Sequence, residues 1–182
     1  MAPVKSNKND KNIKSSARFS VAPMMDWTDR HCRYFHRIFT KKSLLYTEMI
    51  AAAALVRGKA YHLLDHSNEE HPLALQLGGS DPTQLAEAAS IGEAQGYDEI
   101  NLNVGCPSDR VQSGSFGAVL MKNPRLVAEC CEAMKKNTSI DITVKCRIGV
   151  DDQDPEEILP EFLGHISNSG VNRVIIHARK AI

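Results

Sequence analysis

The sequence predicts an α/β fold, an incomplete (β/α)8 TIM barrel with about six βα units present, and three observations predict it. From Arg18 onward short apolar runs alternate with helical patterns, which implies parallel strands joined by right-handed crossovers. Four of those runs keep polar side chains on one alternating face, whereas a parallel strand covered on both sides reads as continuously apolar. The first run is followed by D-W-T-D-R, not by a glycine fingerprint, which argues against an open dinucleotide-binding sheet. A barrel explains the polar face: outward residues pack on helices, inward residues meet at the axis, and the carboxyl ends of the strands carry the site.

Taken in order, residues 1–17 are polar, Lys-rich and nearly devoid of large apolar groups, so a disordered arm is expected there, with residues 18–182 forming the barrel domain. Strands are expected at Phe19–Met25, Leu44–Met49, Leu73–Gly78, Glu99–Gly105, Ile142–Ile148 and Arg173–Arg179. Helices are expected at Thr28–Phe39, Pro82–Gln95, Pro124–Lys136 and Pro155–Ser169, with a shorter one around Ile50–Val56. Three of them open on an Asx-Pro pair: Asp81-Pro82, Asn123-Pro124 and Asp154-Pro155. The Asx side chain caps free backbone N–H groups, and proline fits the first helical position, where no N–H partner is needed. Asp154 with Glu157 adds a capping-box pattern, while Pro160 is expected to kink or shorten that helix.

With 182 residues, 42% of them hydrophobic and 24% charged, the chain suits one globular domain and excludes disordered or low-complexity classes. The longest apolar run, Met49 to Val56, falls far short of the ~20 residues that span a bilayer. No signal peptide opens the chain, and a cytoplasmic location without membrane contact is expected. Cysteines 32, 106, 130, 131 and 146 form an odd set without metal-ligand spacing, so reduced thiols and no metal are expected. The charge is neutral in sum but uneven, ten Lys or Arg against three acids over residues 1–42. That favours a polyanion only weakly, because Arg30, Arg33 and Arg37 read more simply as a solvated helix face opposite Cys32, Phe35 and Phe39.

The alternation locates the candidate site. Asn101 and Asn103 oppose Ile100, Leu102 and Val104; Thr143, Lys145 and Arg147 oppose Val144 and Ile148; Ile175, His177 and Arg179 oppose Val174 and Ile176; and Gln76 stands between Leu75 and Leu77. Gln76, Asn103, Lys145 and His177 would therefore converge, offering amide, ammonium and imidazole donors to a planar heterocycle with carbonyl and ring-nitrogen acceptors. Taken singly, Lys145 could be a rim cation and His177 a hydrogen-bonded structural residue; the shared strand-end position raises both as candidates. Lone cysteines are usually small buried hydrophobes, the expectation for Cys130, Cys131 and Cys32. Cys106 differs by position, between Gly105 and Pro107 directly after a strand, and with no neighbouring base a proton-donor role is as reasonable as a nucleophilic one. The stretch from Ser108 to Ala118, with Arg110 its only cation, is expected to be a mobile loop over the site.

Five ordered blocks resemble the tRNA-dihydrouridine synthases: V-A-P-M-M-D-W-T-D at Val21–Asp29, L-Q-L-G-G at Leu75–Gly79, N-L-N-V-G-C-P at Asn101–Pro107, V-K-C-R-I-G at Val144–Gly149 and H-A-R-K-A at His177–Ala181. The opening and closing blocks look most like the bacterial A-type branch. The resemblance implies reduction of the C5=C6 bond of uridine in tRNA by FMN, with NADPH as reductant. It places Pro23, Met24, Met25, Gln76, Lys145 and His177 on the FMN, Cys106 as the proton donor to C5, and Asn103 on the target base. The family's pattern continues beyond H-A-R-K-A through two further strands, which carry the phosphate site, and a C-terminal helical domain that grips tRNA; here Ile182 follows. An early stop, a frameshift or a partial record would each produce that, and the six-strand chain alone is expected to bind FMN poorly. Two other readings compete: a non-catalytic fragment or partner-completed half barrel with weak RNA binding, and an aldolase-like barrel in which Lys145 forms a Schiff base.

Overall fold

A computed structural model of the chain describes residues 17–108 and 116–182. The expected polar arm up to residue 16, and most of the expected loop with Arg110, lie outside the described residues. Six strands, β1 (Ser20–Val21), β2 (Leu44–Ala51), β3 (Leu73–Gly78), β4 (Glu99–Val104), β5 (Asp141–Arg147) and β6 (Arg173–His177), form one sheet. They follow their sequence order and every pairing is parallel. Between them run α1 (Arg30–Phe39), α2 (Ala52–Val56), α3 (Pro82–Ala94), α4 (Pro124–Asn137) and α5 (Pro155–Ile166). This is the expected βα repeat of an incomplete barrel, and no helix among the described residues is long and apolar enough to cross a membrane.

Alternation along the strands sorts the side chains into two layers. Outward, Leu73, Leu75 and Leu77, Ile100, Leu102 and Val104, and Ile142, Val144 and Cys146 are fully buried against α3 and α4, which contribute Leu85, Ala88, Ala89, Val127, Cys130, Cys131 and Met134. Each large side chain of this layer is worth about 1.5–3 kcal/mol on burial. Gly92 lets α3 approach closely, since a Cβ there would stand 2.6 Å from Leu75 and 2.8 Å from Ile100.

Inward, Leu44, Tyr46 and Ala74 form a small apolar floor. Beside it Glu99 accepts hydrogen bonds from Thr143 Oγ1 (2.5 Å), Tyr46 Oη (3.2 Å) and Arg173 Nη2 (2.5 Å), and Arg173 also reaches Tyr46 Oη at 3.3 Å. A contact from β6 to β2 requires the sheet to curl, because flat neighbours stand about 4.8 Å apart per strand. The next row continues inward with Gln76 Nε2 donating to Asn101 Oδ1 (2.8 Å) and Asn101 Nδ2 to Thr143 Oγ1 (2.9 Å).

The helix starts form as their residues require. Asp81 accepts from the Thr83 and Gln84 amides, Asn123 from Leu126 and Asp154 from Glu156. The capping box does not close, because the Glu157 amide turns to the Asp154 carbonyl at 3.3 Å. Pro160 sits inside α5 without interrupting it. Lacking an N–H, it gives the Glu156 carbonyl no helical donor, on an exposed face open to solvent.

Two expectations are corrected. Helix α1 departs from the expected solvated Arg face: Arg30 is exposed as expected, but Arg33 and Arg37 are only 5% and 9% exposed, whereas Tyr34, Phe35, Ile38 and Phe39 face outward. Arg33 pairs with Glu70 at 2.6 Å and donates to the Thr28 carbonyl, while Arg37 donates to the carbonyls of Thr40, Ser43, Glu70 and Pro72. A guanidinium with several fixed donors gathers loop carbonyls that a hydrophobe would leave unsatisfied. Cys32 also departs from the expected core position, being part-exposed with Sγ 3.3 Å from His36 Nδ1. Residues Gly117–Lys122 form a 3-10 turn, anchored by the Ala118 amide donating to the Cys106 carbonyl at 2.9 Å.

Candidate active site at the carboxyl ends of the strands

A cleft of ≈ 530 Å³ opens where the strands end. All eight residues singled out from the sequence line it: Pro23, Met24 and Met25 after β1, Gln76 on β3, Asn103 and Cys106 on and after β4, Lys145 on β5 and His177 on β6. Strand register explains the convergence, with Asn103 opposite Lys145, and Arg147 opposite His177.

Asn103 is held and holds. Its Nδ2 donates to Gln76 Oε1 at 2.9 Å, and its Oδ1 accepts the amides of Gly105 (3.0 Å) and Cys106 (2.9 Å). The side chain thus sets the turn that carries the thiol, a role the sequence did not suggest. Gln76 is buried and gives one N–H to Asn101, leaving its second N–H for a ligand. Cys106 Sγ stands 3.5 Å from Ser108 Oγ at the cleft surface. Burial pushes the thiols of Cys130 and Cys131 up to about 12 and that of Cys146 to about 11.

The far wall is cationic. Lys145 makes no hydrogen bond or ion pair with a described residue; burial, then Arg147, hold its ammonium below the usual range. Arg147 is bound only to carbonyls, those of Gly105 at 2.7 Å and Lys180 at 3.2 Å, and is itself held down by burial and by Arg179. His177 lies below its ordinary 6.5, first through lost hydration and then through Arg147, Lys145 and Arg179. The Lys145 ammonium and Arg147 guanidinium repel one another and disfavour the charged form of His177, and no carboxylate lines the cleft among the described residues, an arrangement suited to electron-rich ligands.

Arg147, Met49 and Trp27 also line the cleft and were not singled out. Arg147 was readable, two residues beyond Lys145 on the same face. Met49 was not: β2 shifts register between Tyr46 and Met49, where Thr47 Oγ1 accepts the Gln76 amide at 3.0 Å, and the irregularity re-aims the thioether.

Fold and cleft together define a barrel-type chain with a polar, cationic site and one thiol at its strand ends. The model of the dihydrouridine synthase (Dus) family matches residues 20–181, and the chain belongs to that family. It is 61% identical over 171 residues to the tRNA-dihydrouridine(20/20a) synthases of Shigella flexneri and of Escherichia coli K12, covering 93% of this chain and 50% and 49% of theirs. The enzyme of the same name from Vibrio parahaemolyticus is 59% identical over 167 residues, 91% of this chain and 51% of its own. The chain spans about half the length of the curated relatives it matches.

Proposed function

We propose that the cleft serves the FMN-dependent reduction of uridine to 5,6-dihydrouridine in tRNA, with NADPH as reductant, in the cytoplasm. The observation that carries this is the convergence of Gln76, Asn103, Cys106, Lys145 and His177 on one cleft. The donor set fits a flavin. The cleft's volume lies in the range of about 300–1,000 Å³ usual for ligand pockets, Pro23, Met24, Met25, Met49 and Ile175 supply apolar wall, and Lys145 is a charged donor without a partner among the described residues.

When bound, FMN supplies the hydride that uridine C6 receives and NADPH replenishes it. Lys145 and His177 bind and orient the electron-rich edge of the ring, and the ammonium favours negative charge there. Asn103 holds the Gly105–Cys106 turn, fixing where the thiol points. Cys106 gives its proton to C5 of the base, completing the reduction. The apolar wall excludes water while the uridine, extruded from its stack, occupies the remaining space. By the names of its relatives, the uridines in view are 20 and 20a.

A chain completed by the two further strands, supplied with FMN, NADPH and unmodified tRNA, is expected to form dihydrouridine, measured by mass spectrometry of the digested nucleosides, whereas the 182-residue chain alone is expected to bind FMN poorly. Cys106→Ala is expected to slow product formation by roughly 10²–10⁴, the usual worth of a positioned proton donor, with flavin binding unchanged. Equal turnover would remove Cys106 from the reaction. A second reading, a half barrel that a partner completes, is favoured by one observation: β1 and β6 each pair on one side only among the described residues. Flavin binding and product that arise only with an added second half would select it. Borohydride trapping of a carbonyl substrate on Lys145 would select a Schiff-base reaction instead.

A further inference from the structure

We infer that Trp27 is the platform on which an unpaired base of the RNA stacks as its uridine enters the cleft. The inference rests on the proposed uridine reduction and adds to it a residue for gripping the substrate. Trp27 is the only tryptophan of the chain. It lines the cleft yet is 73% exposed, beside Met24 and Met25, which are also open to solvent. An indole left in water forgoes a large burial gain, so an unused face at the rim of a site calls for an occupant.

The ring is exposed but its backbone is fixed. The amides of Trp27 and Thr28 both donate to the Met24 carbonyl, at 3.2 and 3.0 Å, and the Met24 amide donates to Thr28 Oγ1 at 3.0 Å. Thr28 is buried, and its carbonyl accepts from Arg33, which Glu70 holds in turn. Asp26 takes a positive φ of 62°, and its amide donates to Glu48 at 2.5 Å. A rigid mount for a solvated aromatic ring is what base stacking requires, because little ordering remains to be done on binding.

Charge selects the partner's chemistry. Lys145, Arg147 and His177 line the wall formed by β5 and β6, while Trp27, Met24 and Met25 line the β1 side. Phosphates are drawn to the first wall, which leaves the apolar second wall for a neutral base face. A single strand crossing the cleft meets both conditions at once.

Because Trp27 is the sole indole, its emission reports directly on the site. Titration of the flavin-free chain with unmodified tRNA is expected to quench that emission. Trp27→Ala is expected to weaken tRNA affinity roughly ten- to hundredfold by anisotropy, with FMN affinity unchanged, and Trp27→Phe to keep most of the affinity. Tryptophan emission that does not respond to saturating tRNA, absence of tRNA binding, or equal affinity of Trp27→Ala would each overturn the inference. So would emission that shifts with protein concentration alone, which would assign the ring to a second copy. If Trp27→Ala weakens tRNA binding but no dihydrouridine forms, the proposed reaction fails and the platform stands; if product forms and affinity is unchanged, the reverse holds.

Discussion

At the amino-terminal end of the curled sheet Arg173 meets Glu99 at 2.5 Å and Tyr46 at 3.3 Å, with Thr143 closing the group. At the carboxyl-terminal end Lys145 and the His177 ring meet no polar partner among the described residues, and Arg147 meets only carbonyls. Both ends bring charged side chains to the same axis on the same strands. One end pairs its charges and fills the interior; the other leaves them repelling across a cleft. Part-buried cations without a counter-charge among the described residues carry a desolvation cost that an anionic ligand would offset, while the closed end holds the strands in their curl.

The largest expected effect comes from breaking the closed end. Burial raises the Glu99 carboxyl above its ordinary value, and Arg173, Thr143 and Tyr46 oppose that rise. Glu99→Gln removes the charge that Arg173 faces while keeping the shape. The expected loss of stability is about 3 kcal/mol, the low end for a severed buried pair because Arg173 is partly exposed. Urea unfolding measures it, and a loss below half that would mean the network packs without binding the strands electrostatically.

The same kind of change at the open end is expected to do the opposite. Lys145→Met replaces a desolvated, unpaired ammonium with an apolar chain of similar length. Stability is expected to be unchanged or to rise by up to about 1 kcal/mol, while flavin affinity falls. A destabilisation matching that of Glu99→Gln would erase the contrast and make Lys145 structural.

Much of this contrast was legible in the strands. The alternation that set Asn101 and Asn103 against Ile100 and Leu102 is a local property of an extended chain, and the register placed Gln76, Asn103, Lys145 and His177 as it implied. What escaped reading depends on distant partners. Arg33 and Arg37 carry the periodicity of a solvated face, but the carbonyls of Thr28, Thr40, Ser43, Glu70 and Pro72 draw them inward, and no local pattern announces where those loops pass. Met49 enters the cleft through a register shift in β2 that the alternation conceals. Trp27 looked like part of a motif, and its exposure is visible only in three dimensions.

The finest test of the open end is the titration of His177. Its imidazole lies below the ordinary 6.5 because the charged form is poorly hydrated there and stands near Arg147, Lys145 and Arg179. The sign follows: proximity to cations disfavours the imidazolium, so removing a cation moves its pKa up. Arg147→Met is expected to raise it more than Lys145→Met, since Arg147 repels more strongly, and both shifts are expected to shrink in high salt. Histidine C–H signals followed by NMR across pH 4–8 would show it, with His71 as the internal contrast because its hydrogen bond to Asp98 raises it instead. A His177 that titrates at the same pH in both variants would mean the cations do not share one field, and the cleft would lose the electrostatic basis for drawing in an anionic ligand.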